Sequence, residues 1–390
     1  MKETVAKPTI EEEQAIRNII ANTLETGGAF SLWRKPNTNE KVLMLCNSGT
    51  AEVSEVNLED SKPGFLVAPF LPDQAKFFFP ADEVFRFTDG DWHEANDAAS
   101  WRLKRNDEGG SKYPQPKYHI NKSTTTVANS YQALVQVSLS AIEDGKFEKI
   151  VPSRFEDVQY REGFDVLTAF HQLCERHPNA MVSLISSHAT GTWLGATPEL
   201  LVSIDRQSKF KTHALAGTQP YSASVDIKSV AWTQKEIEEQ ALVSRYIINC
   251  FKKIRVREYT EHGPKTVVAG NVMHLKTDYQ VDMNEINFPQ LGSVMLKLLH
   301  PTSAVCGMPL DAALKFLKTN EGYNRELYSG YLGPVNFDQE SDLYVNLRCM
   351  QLLERSARLY AGAGVTSDSD PEKEFLETEM KMKNLKVLLG

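Results

Sequence analysis

The chain predicts an α+β fold built on largely antiparallel sheets, and three observations carry that prediction. Short apolar stretches come in runs separated by whole helices, without βαβ alternation. Turn residues stand between neighbouring stretches. None of the 390 residues form a dinucleotide-binding glycine fingerprint, a P-loop or an H-E-x-x-H helix.

Residues 10–23 alternate polar and apolar at helical spacing and predict the first helix. Stretches 29–33, 42–46 and 64–69 read as strands. Residues 97–118 are largely polar, with Gly-Gly and Pro-Gln-Pro, and predict an exposed connection. A helix follows over 123–144, opened by a Ser/Thr cluster and ended by Gly145. A strand is predicted over 149–159, then short strands at 182–186, 192–195, 200–204 and 211–215. Residues 229–254 predict a long helix, with Ile237, Ala241, Ile247 and Ile248 as its core-facing stripe. Beyond it come a strand over 267–274, a short helix over 312–317, and strands over 328–335, 343–353 and 359–363. The last helix starts at Asp370 as N-cap with Pro371 at its first position, and Glu372 and Glu374 suit its dipole.

The net charge of −8 argues against a general nucleic-acid binder, which needs a basic stripe for phosphates. Five scattered cysteines lack C-x-x-C spacing, and read as buried or free thiols in a reducing compartment. The start carries no signal-type apolar core, and no run is long and apolar enough to span a bilayer, so a cytoplasmic protein is expected.

Two acidic motifs carry chemistry: Glu236-Ile-Glu-Glu239 and Glu374-Phe-Leu-Glu377. Each puts two carboxylates three residues apart, on one face of a helix. Either alone is most often a solvated face. If the two pairs converge, four carboxylates share a small volume and repel unless a cation separates them. Oxygen-only ligands then point to Mg²⁺, held by one or two carboxylates together with water and substrate oxygens.

Other candidates lie far apart in sequence. Lys149 is either an exposed strand lysine or an inward one that serves as a base. Glu199 is either a general acid or a turn residue. His274 either orients a substrate or is a satisfied core histidine. Arg348, among Leu347, Cys349 and Met350, needs an anionic partner or an exposed strand face. Lys381, four residues after Glu377, either pairs with it or meets a substrate carboxylate.

A series of motifs gives these residues a context. They are Ala196-Thr-Pro-Glu-Leu-Leu201, Ala214-Leu-Ala-Gly-Thr218, Lys235-Glu-Ile-Glu-Glu239, Val272-Met-His-Leu275, His300-Pro-Thr302, Glu321-Gly-Tyr-Asn-Arg325, Tyr328-Ser-Gly330, Tyr360-Ala-Gly-Ala-Gly364 and Glu374-Phe-Leu-Glu377. In this order they resemble the chorismate-utilising enzymes: isochorismate synthases of the menaquinone and siderophore type, salicylate synthases, and anthranilate and aminodeoxychorismate synthases. The resemblance is strong from about residue 123 to the C-terminus and weak over 1–122.

The resemblance implies one large domain of layered, mainly antiparallel sheets flanked by helices, the anthranilate/aminodeoxychorismate synthase-like fold, with residues 1–122 adding to the core of the catalytic region 123–390. It implies Mg²⁺ as cofactor, with Glu239 and Glu377 nearest the metal and Glu236 and Glu374 supporting them. Arg348 and Tyr328 would meet the enolpyruvyl carboxylate, helped by backbone N–H groups near Gly362 and Gly364. Lys381 would assist at the other carboxylate, and Gly217, Thr218, His274 and Thr302 would line the ring.

Two positions choose the branch. The anthranilate type has glutamine where Lys149 stands, and aminodeoxychorismate synthases commonly carry a lysine where this chain has Ala216. Both departures imply water as nucleophile, with Lys149 as base and Glu199 as acid. The activity expected is isochorismate synthase, with salicylate synthase as the nearest alternative and an ammonia-using synthase subunit as a further one. The expected partner is chorismate alone, without nucleic acid, membrane or an obligatory amidotransferase.

Overall fold

Alternation along the strands decides the layering. In the strand Lys41–Cys46, Leu43 and Leu45 pack into one core, whereas Val42, Met44 and Cys46 pack into another. Strand Gly64–Ala68 behaves likewise: Leu66 and Ala68 face one core, Phe65 and Val67 the other. Side chains alternate faces along a strand, so both sheets are covered on both sides. That explains why apolar runs such as 42–46 are unbroken: every position has a core to enter.

The computed structural model describes residues 9–88, 91–94, 116–120, 130–222, 224–269 and 271–389, with 91–94 as backbone only. Two nine-stranded sheets stack face to face. The first runs, in spatial order, Asp91–Glu94, Glu83–Thr88, Lys41–Cys46, Ala29–Arg34, Met181–Ser187, Gly191–Thr197, Cys349–Leu352, Ser356–Gly362 and Ser153–Gln159. The second runs Thr260–Ala269, Val272–Asp282, Lys209–Pro220, Leu200–Ile204, Ser341–Val345, Tyr331–Val335, Gly64–Ala68, Lys76–Pro80 and Ala51–Val53. A two-stranded ribbon pairs Gly307–Met308 with Lys149–Ile150. The named pairings are all antiparallel, as the predicted fold class requires.

Helices close the outer faces. Helices α1 (Ile10–Glu25), α3 (Val166–Arg176) and α7 (Pro371–Leu389) share a core with the first sheet. Helices α2 (Tyr131–Glu143), α4 (Gln234–Lys253), α5 (Leu291–Leu299) and α6 (Leu310–Asn320) share one with the second. Strands from residues 29–94 enter both sheets, so the N-terminal part is built into the same domain.

The structure corrects several predicted elements. The single strand over 149–159 is two, Lys149–Ile150 and Ser153–Gln159, split at Val151-Pro152 because proline breaks the ladder. The strand over 343–353 also divides, since Ser341–Val345 and Cys349–Leu352 belong to opposite sheets. Arg348, at φ 49, lies in the crossing between them. The strand over 267–274 is a hairpin, Thr260–Ala269 with Val272–Asp282. The stripe of α4 is Val243, Tyr246, Ile247, Cys250 and Phe251; Ile237 is 47% exposed and Ala241 faces solvent. Helices α3 and α5, and strands Ala51–Val53, Lys76–Pro80, Glu83–Thr88 and Asp91–Glu94, were not predicted. Residues 123–129 of the predicted second helix and 97–115 of the predicted connection lie outside the described residues. All five cysteines are buried and free. No helix among the described residues is long and apolar enough to cross a membrane.

Candidate active site

The N-terminal ends of α4 and α7 meet beside the edge of the first sheet. Thr233 opens α4 with a capping box in which Glu236 accepts from the Thr233 backbone N–H at 2.7 Å. Asp370 opens α7, accepting from the N–H groups of Glu372 and Lys373. Both helices therefore start at the two acidic motifs, Glu236–Glu239 and Glu374–Glu377.

Each of the other glutamates holds an ammonium. Glu239 pairs with Lys149 at 2.9 Å, Glu374 with Lys235 at 2.5 Å, and Glu377 with Lys381 at 2.7 Å. Burial raises the Glu239 pKa, but Lys149, Lys381 and Lys235 outweigh it and hold the group below the ordinary glutamate value. Glu374 moves the other way: burial, with Glu377 nearby, lifts it despite Lys235. Burial also works against the Lys235 ammonium, yet Glu374, Glu377 and Glu239 together raise its pKa. One cation thus already sits among three carboxylates. Glu236 is the exception among the four: its carboxylate serves its own helix cap.

A cavity of about 70 Å³ of free space adjoins this cluster. Glu199, Gly217, Thr218, Glu239, His274, Tyr328, Arg348, Gly362, Gly364 and Lys381 line it, ten of the residues the sequence singled out. Lys149 is fully buried behind Gly364: a Cβ there would stand 3.1 Å from Lys149 Cε and collide with Glu239 Oε1. A side chain at that position would have to move the Glu239 carboxylate away from Lys149. Gly217, at φ +68, needs glycine for its backbone, and a Cβ would also press to 3.0 Å of the Glu236 Cβ.

Burial sets the protonation of the wall. It pushes the Glu199 carboxyl up to about 7, against the pull of Lys149, Lys381 and Arg348. It pushes His274 down to about 3, with Arg348 adding to the effect. His274 Nδ1–H donates to the Gly217 carbonyl at 2.7 Å, which leaves Nε2 turned to Arg348 Nη2 at 3.4 Å. Arg348 itself forms no ion pair among the described residues, and burial lowers its pKa. Lys381 also donates to the Gly362 carbonyl at 2.8 Å. Thr302 is buried beside Glu199, and a hydrogen bond from its hydroxyl works against the rise of that carboxyl's pKa.

The donor set fits Mg²⁺. It offers oxygens only, and the carboxylates of Glu239, Glu374 and Glu377 all act on the one Lys235 ammonium at the joint of the two helices. Among the described residues no three side chains converge into a metal cage. Mg²⁺ needs none, because one or two carboxylates with waters and substrate oxygens form its usual shell.

Sequence reasoning missed the supports. Arg325 and Glu321 are buried and paired at 2.6 Å. Arg325 donates to the carbonyls of Val151 and Val305, both cavity residues, and its guanidinium lies over the Phe70 ring. Glu321 accepts from Ser153 N–H and Oγ. This unit fixes the segment after Lys149 against the segment after Thr302. The Tyr131 hydroxyl bridges the Pro152 carbonyl and the Ala363 N–H. Glu321 and Arg325 stood within a quoted motif without a role, because only tertiary structure shows what they grip. The same holds for Lys235.

Comparison with known proteins shows the family of the chain. A family model described as chorismate binding enzyme matches residues 87–390. The isochorismate synthase DhbC of Bacillus subtilis is 30% identical over 289 residues, covering 70% of each chain. The isochorismate synthase EntC of Escherichia coli is 25% identical over 276 residues, also 70% of each. Among solved structures, the menaquinone-specific isochorismate synthase MenF of Escherichia coli superposes with a TM-score of 0.71 at 21% identity, covering 93% of this chain and 89% of that one. The chain belongs to the family of chorismate binding enzymes.

Gly364→Ala is expected to part Glu239 from Lys149 and to destabilise the fold by about 1–3 kcal/mol, as overpacking does. Denaturant unfolding measures this; a midpoint and slope equal to wild type would refute the close packing described.

Proposed function

We propose that the chain is an isochorismate synthase, which adds a hydroxyl at C2 of chorismate and removes the one at C4. The observation that carries the reading is Glu199. It is a buried carboxyl in the cavity whose pKa of about 7 keeps a proton available near neutrality, as a general acid requires. Lys149 lies within its electrostatic reach. Ala216 lines the cavity where an ammonia-using relative carries a lysine, so no covalent route through that position exists here.

In this reading Glu199 protonates the departing C4 hydroxyl. Lys149 takes the proton of the attacking water. Lys149, fully buried beside the cavity and 2.9 Å from Glu239, is the amine placed to take that proton. Arg348, buried without a carboxylate, receives the enolpyruvyl carboxylate with Tyr328. His274, neutral and oriented by Gly217, faces the ring with Thr218 and Thr302, and Lys381 meets the remaining carboxylate. Glu239 and Glu377 would hold Mg²⁺, supported by Glu374 and, through its helix cap, Glu236. Bound there, Mg²⁺ supplies charge that orients and screens the substrate dianion.

Product analysis after incubation with chorismate and Mg²⁺ is expected to give isochorismate. Pyruvate released in step with chorismate consumption would instead indicate a salicylate synthase.

The acid role has a pH signature. Glu199 must be protonated, so kcat/KM is expected to fall as pH rises through about 7. The folded state also binds this proton more tightly than the unfolded chain, so the group's contribution to stability declines between its ordinary 4.5 and about 7. Glu199→Gln is expected to lower kcat by ~10²–10⁴ and to remove that limb. A limb that persists in the variant would reassign the acid.

A further inference from the structure

A second cavity of about 1050 Å³ adjoins the first and shares Pro198, Leu215 and Arg348 with it. Its walls come from the C-terminal end of α3, the 36–39 turn, the outer hairpin of the second sheet and the end of α7. The catalytic cavity, with about 70 Å³ free, is too small for a ring dicarboxylate as it stands, whereas the larger cleft has the room that ligands of this size occupy.

The charge of the cleft is one-sided. Arg176, Lys265, Lys276 and Arg348 line it, and among the described residues no aspartate or glutamate does. Asp278, behind the wall, pairs with Lys265 and with Lys276 at 2.7 Å each. Two cations against one anion leave a positive charge in excess there. Arg176 and Arg348 have no ion-pair partner among the described residues. His177, also in the wall, is pushed down to about 4 by burial and by Arg348, Arg176 and Arg34, which reports the same positive field. In a chain of net charge −8 such a cleft is a local inversion of sign.

We infer that this cleft is an anion-selective antechamber through which a ring dicarboxylate reaches the catalytic cavity, with Arg348 as the charge common to both. The inference rests on the proposed substrate class. Field lines focused by the low-dielectric walls raise the local concentration of the dianion and its rate of capture. Arg348 then passes the carboxylate from one space to the other without leaving it unpaired, and its left-handed backbone places the side chain at the shared wall. Arg176 and Lys265 act only before binding, so they govern entry and not chemistry.

The test is the ionic-strength dependence of chorismate consumption. The double variant Arg176→Glu/Lys265→Glu is expected to lower kcat/KM several-fold at low salt with kcat unchanged. The deficit should vanish near 1 M salt, where screening acts over about 3 Å. Lys146→Glu, an exposed reversal on the turn after α2, should leave kcat/KM unaltered. A double variant with wild-type kcat/KM and salt slope would overturn the antechamber, as would a Lys146→Glu enzyme equally impaired. Consumption reads entry whatever the product, so a product other than isochorismate would overturn the activity assigned and leave this result standing.

Discussion

Mutual neutralisation of buried charge at the joint between α4 and α7 is the constraint on which the site depends. Glu239, Glu374 and Glu377 cannot share this space as bare anions. Lys149, Lys235 and Lys381 make the arrangement tolerable, and each reaches it from a different part of the chain. The two sheets hold this joint in place. Gly362 ends the strand that α7 packs on, Gly364 follows it, and the ribbon of Lys149–Ile150 with Gly307–Met308 carries Lys149 to the same spot. A divalent cation would be a further counter-charge in a place already organised around positive charge.

The supports explain why the walls stay where the chemistry needs them. The Arg325–Glu321 pair is buried, and such a pair is costly unless every donor and acceptor is used. Here the donors find Glu321 and two carbonyls, and Glu321 also accepts from Ser153. The pair thus fastens three chain segments and buries no loose charge. Tyr131 does the same on a smaller scale between Pro152 and Ala363. These groups touch no cavity content; their effect is on where Val151, Val305 and the glycine segment stand.

The sheets were legible where strands enter two cores, because a short apolar run such as 42–46, bounded by turn residues, fits a strand buried on both faces. They were not legible at the rim. Ala51–Val53 is mostly exposed, and its pairing depends on a partner distant in sequence. Helix α3 carries a local signal of its own: Asp165 caps it by accepting from the Thr168 N–H, and apolar residues recur at helical spacing behind it. The site residues were readable as a set because the motifs order them, but their pairings were not. Thr233 and Glu236 form the S/T-x-x-E pattern of a capping box, which foretold that Glu236 would be occupied by its own helix. That Lys149 would face Glu239, or Lys235 stand among three glutamates, required the fold. Burial, which decides the protonation of Glu199 and His274, is likewise a property of the packed chain and of no local segment.

If α4 and α7 together hold a divalent cation, Mn²⁺ will be found between them by its anomalous scattering in crystals of the enzyme. One peak is expected between the Glu239 and Glu377 carboxylates, with Lys235 displaced from, or sharing, its position among the acids. Crystals that show no metal at that joint, with Lys149 and Lys381 still paired to those two glutamates at saturating Mn²⁺, would contradict it.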